Sequence, residues 1–207
     1  MATRQRDGSR LRTLLAQECA RIMADEGVKD FLVAKRKASA RLGVSNKALL
    51  PGNVEIEQAL VEYQRLFNAA KQSSQLRELR QTAVEAMRFF ARFHPRLVGS
   101  VLTGTAGPYA NINLHLIADT PEEVVWFLMD HAIPFANSER RLRLGNSEYA
   151  YFPVLSFGAG DTSIDLTVFT PQKGRESPRS PVDGRPMRRA SLAEVQALLD
   201  TDRETQP

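Results

Sequence analysis

Two segments in the second half of this chain alternate strictly between polar and apolar residues, and that alternation limits the possible folds more than any other feature. The first has the sequence Asn-Ile-Asn-Leu-His-Leu at residues 111–116, and the second has Ser-Ile-Asp-Leu-Thr-Val at residues 163–168. Because successive side chains of a β-strand point to opposite faces, each segment predicts a strand with one apolar and one polar face. If both strands belong to one sheet, their polar residues can converge on the same face.

The residues around these segments predict a small α/β domain. A Gly-rich turn joins the first two strands, which indicates a hairpin, and a helix separates the second strand from the third. The predicted order is therefore two strands, a helix and three strands. The strands are expected at residues 96–102, 111–118, 140–144, 149–157 and 163–169.

Two pairs of residues match the capping box, in which a Ser or Thr and a Glu three residues later satisfy backbone N–H groups at a helix start. Thr120 and Glu123 predict a helix that ends near His131. Ser191 and Glu194 predict a short final helix.

The first half of the chain is predicted to be mostly helical. Apolar residues recur at helical spacing over residues 11–42, with a joint near Gly27. Asn53 is a candidate N-cap for the next helix, and a further helix is expected to end before Pro95. The predicted fold class is therefore α+β. The predicted parts are a basic helical region at 1–92, a mixed-sheet α/β domain at 93–200 and a disordered tail at 201–207.

The composition favours a soluble, bacterial-type cytoplasmic protein. The chain has one cysteine, Cys19, which excludes an internal disulfide and a cysteine-based zinc site. The first residues lack the apolar stretch of a signal peptide, and no segment has the length of a membrane-spanning helix. We therefore expect no membrane partner, while a protein partner and the oligomeric state stay open.

Positive charge is concentrated in the first half of the chain. There are 17 basic and 10 acidic residues up to Arg92, against 11 basic and 14 acidic residues after it. The densest positive patch consists of Lys35, Arg36, Lys37 and Arg41 on a predicted helix. Such a patch can bind a nucleic-acid backbone, or it can be an ordinary solvated helix face. Both interpretations stay open.

Three short segments carry a resemblance to a known family. Leu102-Thr103-Gly104-Thr105 ends a predicted strand in a Gly-Thr step, Asn111-Ile112-Asn113 opens the next strand, and Ile164-Asp165-Leu166 lies in a later one. Over residues 96–170 this pattern resembles the nucleotidyltransferase superfamily built on the DNA polymerase beta core. The resemblance implies a mixed sheet, and it implies that Gly104, Thr105, Asn111 and Asn113 contact a nucleotide.

The same resemblance bears on catalysis. Enzymes of this superfamily use three carboxylates to hold two magnesium ions during phosphoryl transfer. Asn111 and Asn113 stand at the first two of those positions, and a neutral amide cannot supply the charge that the metal needs. Asp165 is then the remaining catalytic and metal-binding residue, with His115 as a candidate second ligand for magnesium or manganese. The resemblance therefore implies weakened or lost catalysis.

Three arginines follow an Asp-Gly turn before the final predicted helix, namely Arg185, Arg188 and Arg189. Arginines in this position can bind phosphate, or they can pair with acidic residues of the domain. Arg185 is the candidate nucleotide ligand among them.

The sequence therefore favours a nucleotidyltransferase-like protein with weakened or lost catalysis that binds a nucleotide or a nucleic acid. One alternative is an active metal-dependent nucleotidyltransferase, in which Asp165→Ala abolishes turnover. The other is a non-enzymatic protein that acts through its basic helices, either by binding nucleic acid such as RNA or as a scaffold. The sequence contains no P-loop and no His-Glu-x-x-His motif.

Overall fold

The computed structural model describes residues 2–67, 69–107, 109–145 and 148–204. Within these residues the chain forms two compact units. The first comprises the described residues up to Gln72 together with Pro181–Asp183, and the second comprises the described residues of Ser73–Ser180 and those from Gly184 onward. The domain boundary predicted after residue 92 falls inside the second unit.

The first unit contains the helices α1 (Ala2–Asp25), α2 (Phe31–Arg41) and α3 (Asn53–Phe67). The predicted joint near Gly27 is confirmed, and Gly27 has a φ of +67°. The Asp30 side chain caps α2 by accepting the Val33 N–H at 2.8 Å. The three helices share a core of buried apolar residues, which includes Leu15, Cys19, Ile22, Ala34, Ala38 and Ile56.

The predicted N-cap of α3 is wrong by one position. Asn53 is the first helical residue, and Gly52 before it accepts the N–H of Ile56 at 3.2 Å. The carboxylate of Glu55 accepts the N–H of Gly52 at 2.6 Å, as the acidic member of a capping box does. The Asn53 side chain is free of that role and accepts a hydrogen bond from Lys35 Nζ at 2.7 Å.

The remaining elements build a mixed sheet with most of its helices packed on one face and the short α7 on the other. In chain order they are α4 (Ala69–Phe89), β1 (Arg96–Val98), α5 (Ser100–Thr103), β2 (Ile112–Ile117), α6 (Pro121–Asp130), β3 (Ala136–Arg143), β4 (Tyr149–Ala159), β5 (Thr162–Phe169), α7 (Pro171–Gly174) and α8 (Leu192–Glu204). The described strands form one sheet in the order β1-β2-β5-β4-β3. β2 and β5 are parallel, and the other neighbours are antiparallel. The predicted α+β class and the predicted order of strands and helix are confirmed.

The apolar face of the sheet packs against α4, α5, α6 and α8. Strand residues of this face and helix residues belong to one buried cluster, which includes Leu79, Met87, Phe90, Leu97, Leu102, Leu114, Val124, Leu128, Leu155, Leu166 and Val195. Since α4 contributes to this cluster, it belongs with the sheet and not with the preceding helices. The other face of the sheet carries the polar residues of β2 and β5, together with a smaller group of buried apolar residues that includes Phe152, Val154 and Phe169.

β1 is shorter than the predicted strand. Gly99 follows it with φ +76° and ψ −157°, a backbone conformation that is essentially limited to glycine. This turn directs the chain into α5, so residues predicted as strand are helical. The predicted antiparallel pairing of the two strands is nevertheless confirmed, with Val98 opposite Asn113, although α5 stands in the connection where a turn was predicted.

One of the two predicted capping boxes is confirmed. Ser191 N–H donates to Glu194 at 2.7 Å, and the Glu194 N–H donates to Ser191 Oγ at 3.4 Å. The box predicted for α6 is wrong, since Thr120 is the N-cap residue but its side chain makes no capping hydrogen bond. Pro121 occupies the first turn of α6 as predicted.

α8 reaches Glu204 and so includes the first residues of the predicted disordered tail, while residues 205–207 lie outside the described residues. Among the helices of the described ranges, none combines the length and the apolar character needed to cross a membrane.

Candidate functional site

The polar face of the sheet brings together the residues that the sequence predicted on β2 and β5. Asn113 lies directly opposite Asp165 in the parallel pair, and His115 lies opposite Thr167. On the other side of β5, Ser156 of β4 also lies opposite Asp165. The alternation seen in the sequence therefore places Asn113, His115 and Asp165 on one face, as predicted.

Arg140 extends from β3, at the edge of the sheet, to the centre of this face. One terminal nitrogen of its guanidinium donates to Asn113 Oδ1 at 2.8 Å, and the other donates to Asp165 Oδ2 at 2.9 Å. The Arg140 side chain is 35% exposed and the Asp165 side chain is 11% exposed. Arg140 thus joins two parallel strands that it does not neighbour. We call Arg140, Asn111, Asn113, Ser156 and Asp165 the polar cluster.

The other members of the polar cluster complete the hydrogen bonding of Asp165. Ser156 Oγ donates to Asp165 Oδ1 at 2.8 Å, and Asn111 Nδ2 donates to Asp165 Oδ2 at 3.3 Å. The Asn113 amide donates to the backbone oxygen of Asn111 at 3.1 Å. Both oxygens of the one carboxylate in the cluster therefore have protein donors, and one of those donors is a guanidinium.

A pair of magnesium ions does not fit the polar cluster. A two-metal site needs several anionic oxygens at one point, whereas Asp165 is the carboxylate of this cluster and Arg140 already places a positive charge against it. Two neutral amides supply the remaining oxygens. In the part of the chain that the structure describes, no three His, Cys, Asp or Glu residues are grouped closely enough to hold a metal ion.

His115, the predicted second metal ligand, is buried beside a different arginine. It is 3% exposed, and its Nδ1 accepts a hydrogen bond from Arg189 Nε at 3.1 Å. Burial, followed by the charges of Arg189 and Arg140, lowers the pKa of His115 to about 3. The imidazole is therefore neutral at physiological pH, and one of its two nitrogens is already used by a cationic donor.

Arg189 connects the polar face to the segment that covers it. Its terminal nitrogen donates to the Gly174 carbonyl at 2.7 Å, and its guanidinium lies 4.9 Å from the centre of the Phe169 ring. A Cβ on Gly174 would come within 3.1 Å of Ile117, so α7 approaches the sheet closely. Burial, and then the charge of Arg96, lower the pKa of Arg189.

The predicted nucleotide residues Gly104 and Thr105 lie at the C-terminal end of α5. Gly104 is the left-handed C-cap of that helix, with φ +86°, and a Cβ added to it would approach Leu76 and Arg80 of α4. Gly99, in contrast, lies next to the polar cluster, since a Cβ there would approach the Asn113 side chain at 3.8 Å. The glycine turn beside the cluster is therefore Gly99-Ser100, and not Gly104-Thr105.

Arg185, which the sequence analysis predicted to contact a nucleotide, is exposed in the loop before α8. Its backbone oxygen accepts the Ser180 N–H at 2.8 Å, closing a turn in which Gly184 has a φ of +71°. Arg189, four residues further on, is the arginine of this segment that reaches the polar face.

The predicted nucleic-acid patch on α2 is largely paired within the first unit. Lys37 binds Glu26 at 3.0 Å, and Arg41 binds both Glu26, at 2.7 Å, and Glu18, at 3.1 Å. Lys35 donates to Asn53. These contacts match the interpretation of the patch as a helix face with its own acidic neighbours, although Arg36, Lys37 and Arg41 all stay exposed.

Sequence reasoning missed Arg140, Ser156 and Gly99 as members or neighbours of the site. Arg140 is followed by a second arginine, and only the strand register distinguishes the one that faces Asp165. Gly99-Ser100 did carry a signal, because this Gly-Ser step directly follows the apolar Leu97-Val98 of β1.

Comparison with models of known protein families gives no match to this chain, and comparison with curated proteins gives none either.

Proposed function

We propose that the second unit is a nucleotidyltransferase-like domain that binds a nucleotide without metal-dependent transfer. The observation that carries this proposal is the Arg140 guanidinium, which donates to Asn113 and Asp165 at the positions where the resemblance implies metal ligands. A guanidinium supplies a permanent positive charge, as a metal does. It cannot coordinate a nucleophilic hydroxide or clamp two reacting oxygens, so it cannot replace the metals in catalysis.

The charge of the polar face supports an anionic ligand. Arg96 lies opposite His115 in the sheet and is exposed, and Arg189 lies against the same imidazole. Two of the five N–H donors of Arg140 are used by the cluster, and its side chain is 35% exposed. Phosphate oxygens accept hydrogen bonds from arginine in a fork geometry, so a nucleotide phosphate is the ligand that suits this face.

The proposal is tested by thermal unfolding of the whole chain with each ribonucleoside triphosphate, in magnesium, in manganese and in chelator. A ligand that binds the native state raises the unfolding midpoint. We expect a rise with at least one nucleotide that is the same in metal and in chelator. A rise that requires metal, together with nucleotide turnover that Asp165→Ala abolishes, would overturn the proposal in favour of an active enzyme.

Two arginine variants make the test specific for the site. Arg140→Ala is expected to remove the nucleotide-dependent rise, whereas Arg88→Ala, which removes an exposed arginine of α4, is expected to leave it unchanged. If no nucleotide raises the midpoint of the unaltered chain, the proposal fails. Binding of nucleic acid that falls steeply with salt and is lost in Arg36→Ala would then favour the alternative based on the basic helices.

A further inference from the structure

β3 and β4 continue beyond the rest of the sheet as a two-stranded ribbon. β4 pairs with β3 from Tyr149 to Ser156, but it pairs with β5 only from Val154 to Ala159. Residues 149–153 therefore have a strand neighbour on one side only. The ribbon consists of these residues and their β3 partners, residues 139–143.

One face of the ribbon is covered and the other is not. On the covered face, Phe152 is 2% exposed and lies 4.5 Å from Phe169, ring centre to ring centre, with Lys173 of α7 over it at 5.5 Å. At the tip, the Arg179 N–H donates to the Arg143 carbonyl at 2.7 Å, which ties the ribbon to the following segment. The ribbon is therefore held in place from one side.

The open face carries aromatic and basic side chains next to one another. Arg141 is opposite Tyr151, and Arg143 is opposite Tyr149, so all four side chains share this face. Tyr149 is 55% exposed and Tyr151 is 64% exposed. The Arg141 guanidinium lies 4.0 Å from the centre of the Tyr149 ring, a stacked cation–π contact.

We propose that this open face binds single-stranded nucleic acid, with bases stacked on Tyr151 and on the Arg141–Tyr149 stack. Exposed tyrosines and guanidinium planes on β-strands are suitable platforms for unpaired bases, because every base has a π-face. Arg141 and Arg143 add positive charge where the phosphates of such a strand would pass. The proposal does not rest on nucleotide binding at the polar cluster, which lies on the opposite face of the sheet.

The arrangement fits a nucleic acid better than an apolar protein partner. Besides the two tyrosines and two arginines, this face of the ribbon includes the exposed Glu139 and the half-buried Pro153, which pair with each other at the end nearer β5. None of the six is a Leu, Ile, Val or Met, and the net charge of the face is positive. A protein interface would be expected to have an apolar centre, whereas stacking and charge are the two contributions that hold single strands. Exposed tyrosines contribute stacking area at a small loss of side-chain entropy.

The test is the affinity of the whole chain for a labelled mixed-sequence single strand, as RNA and as DNA, at low salt and over a salt series. We expect Tyr149→Ala and Tyr151→Ala each to weaken binding by about tenfold. The conservative variants Tyr149→Phe and Tyr151→Phe retain the ring and are expected to retain affinity. Arg141→Lys keeps the charge but loses the planar group, so it is expected to weaken binding at every salt concentration.

Matched controls separate this surface from general effects of charge or aromaticity. Trp126→Ala removes another exposed aromatic residue, on α6, and Arg88→Ala removes an exposed arginine on α4, and neither should change the affinity. The ribbon variants should also leave unchanged the rise in unfolding midpoint that a nucleotide causes. Loss of single-strand binding and loss of nucleotide binding can therefore be told apart. Absence of binding, equal binding by the tyrosine variants, or tighter binding of an acidic peptide than of the single strand would each overturn the proposal.

Discussion

The Nε–H of Arg189 donates to Nδ1 of His115 over 3.1 Å, and burial together with this cationic neighbour keeps the imidazole neutral. An imidazole that accepts at Nδ1 carries its proton on Nε2. Protonation of Nδ1 would break the hydrogen bond and place a second cation against Arg189. The contact therefore makes the folded state sensitive to acid.

We predict that His115 lowers the stability of the protein as the pH falls below about 6.5. Burial, Arg189 and Arg140 lower the pKa of His115 in the folded state from 6.5 to about 3, so between these values the unfolded chain binds a proton that the folded chain does not. The free energy of unfolding therefore rises with pH in this window. At pH 5 it should be about 2 kcal/mol lower than at neutral pH.

The measurement is urea unfolding of the unaltered chain and of His115→Gln at neutral pH and at pH 5. Glutamine can still accept from Arg189 but does not titrate. The unaltered chain should lose about 2 kcal/mol more than His115→Gln over this interval. Parallel losses in the two proteins would show that His115 is not the titrating group.

The ion pair of Arg140 with Asp165 is expected to stabilise the second unit. Arg140→Ala should lower the free energy of unfolding by about 2 kcal/mol, because it leaves the largely buried Asp165 carboxylate without its cationic partner. Asp165→Ala should cost less, since the Arg140 guanidinium that it leaves is partly exposed to water. The double variant should lose less than the sum of the two, with a coupling energy of about 1 kcal/mol.

The pair of Arg21 with Asp25 is a control for this double-mutant cycle, in which two single variants are compared with the double variant. Their charged groups are 3.8 Å apart and both side chains are more than 40% exposed, so their coupling energy should be close to zero. Equal coupling energies in the two cycles would contradict the special role assigned to the pair of the polar cluster.

Adding carboxylates to the polar cluster should create a metal site. The triple variant Asn111→Asp, Asn113→Asp, Arg140→Ala removes the positive charge and places three carboxylates together, which is the donor set that hard divalent cations prefer. Manganese at about ten times its dissociation constant should then stabilise the variant by about 1.4 kcal/mol, while the unaltered chain should not respond.

Thermal unfolding in manganese and in chelator measures this effect. Adding Asp165→Asn to the triple variant removes one ligand and should weaken the response to manganese. The idea would be contradicted if the unaltered chain and the triple variant gained the same stability from the metal.

The two predicted capping boxes give a matched pair of variants. Ser191→Ala should lower the free energy of unfolding by about 1 kcal/mol, because Ser191 Oγ accepts the Glu194 N–H at the start of α8. Thr120→Ala should have a smaller effect, since the Thr120 side chain makes no capping hydrogen bond. Chemical denaturation of both variants checks the order, and a larger loss in Thr120→Ala would contradict it.

Much of the fold could be predicted because local patterns determine it. A period of two along residues 111–116 and 163–168 indicated two strands with distinct faces, and the placement of Asn113 beside Asp165 followed once the strands were neighbours. The end of β1 was predicted too late, since a strand pattern does not reveal that Gly99 adopts a left-handed turn there.

The partner of Asp165 could not be predicted for a different reason. Arg140 and Arg141 are adjacent and chemically identical, yet one joins the polar cluster and the other stacks on Tyr149. Which of them faces Asp165 depends on the register of β3 with β4, and that register is set by packing across the whole sheet. The residues next to Arg140 and Arg141 do not reveal this register.

The parallel pairing of β2 with β5 also determines the order in which the second unit can fold. β3, β4 and β5 follow one another as an antiparallel meander, whereas α6 and two strands separate β2 from β5 along the chain. Closing a long loop loses more chain entropy than closing a hairpin, so we expect the meander to form before β2 docks. In that order Arg140 and Asp165 both lie on strands of the meander, so their contact can form before β2 brings Asn113 alongside β5.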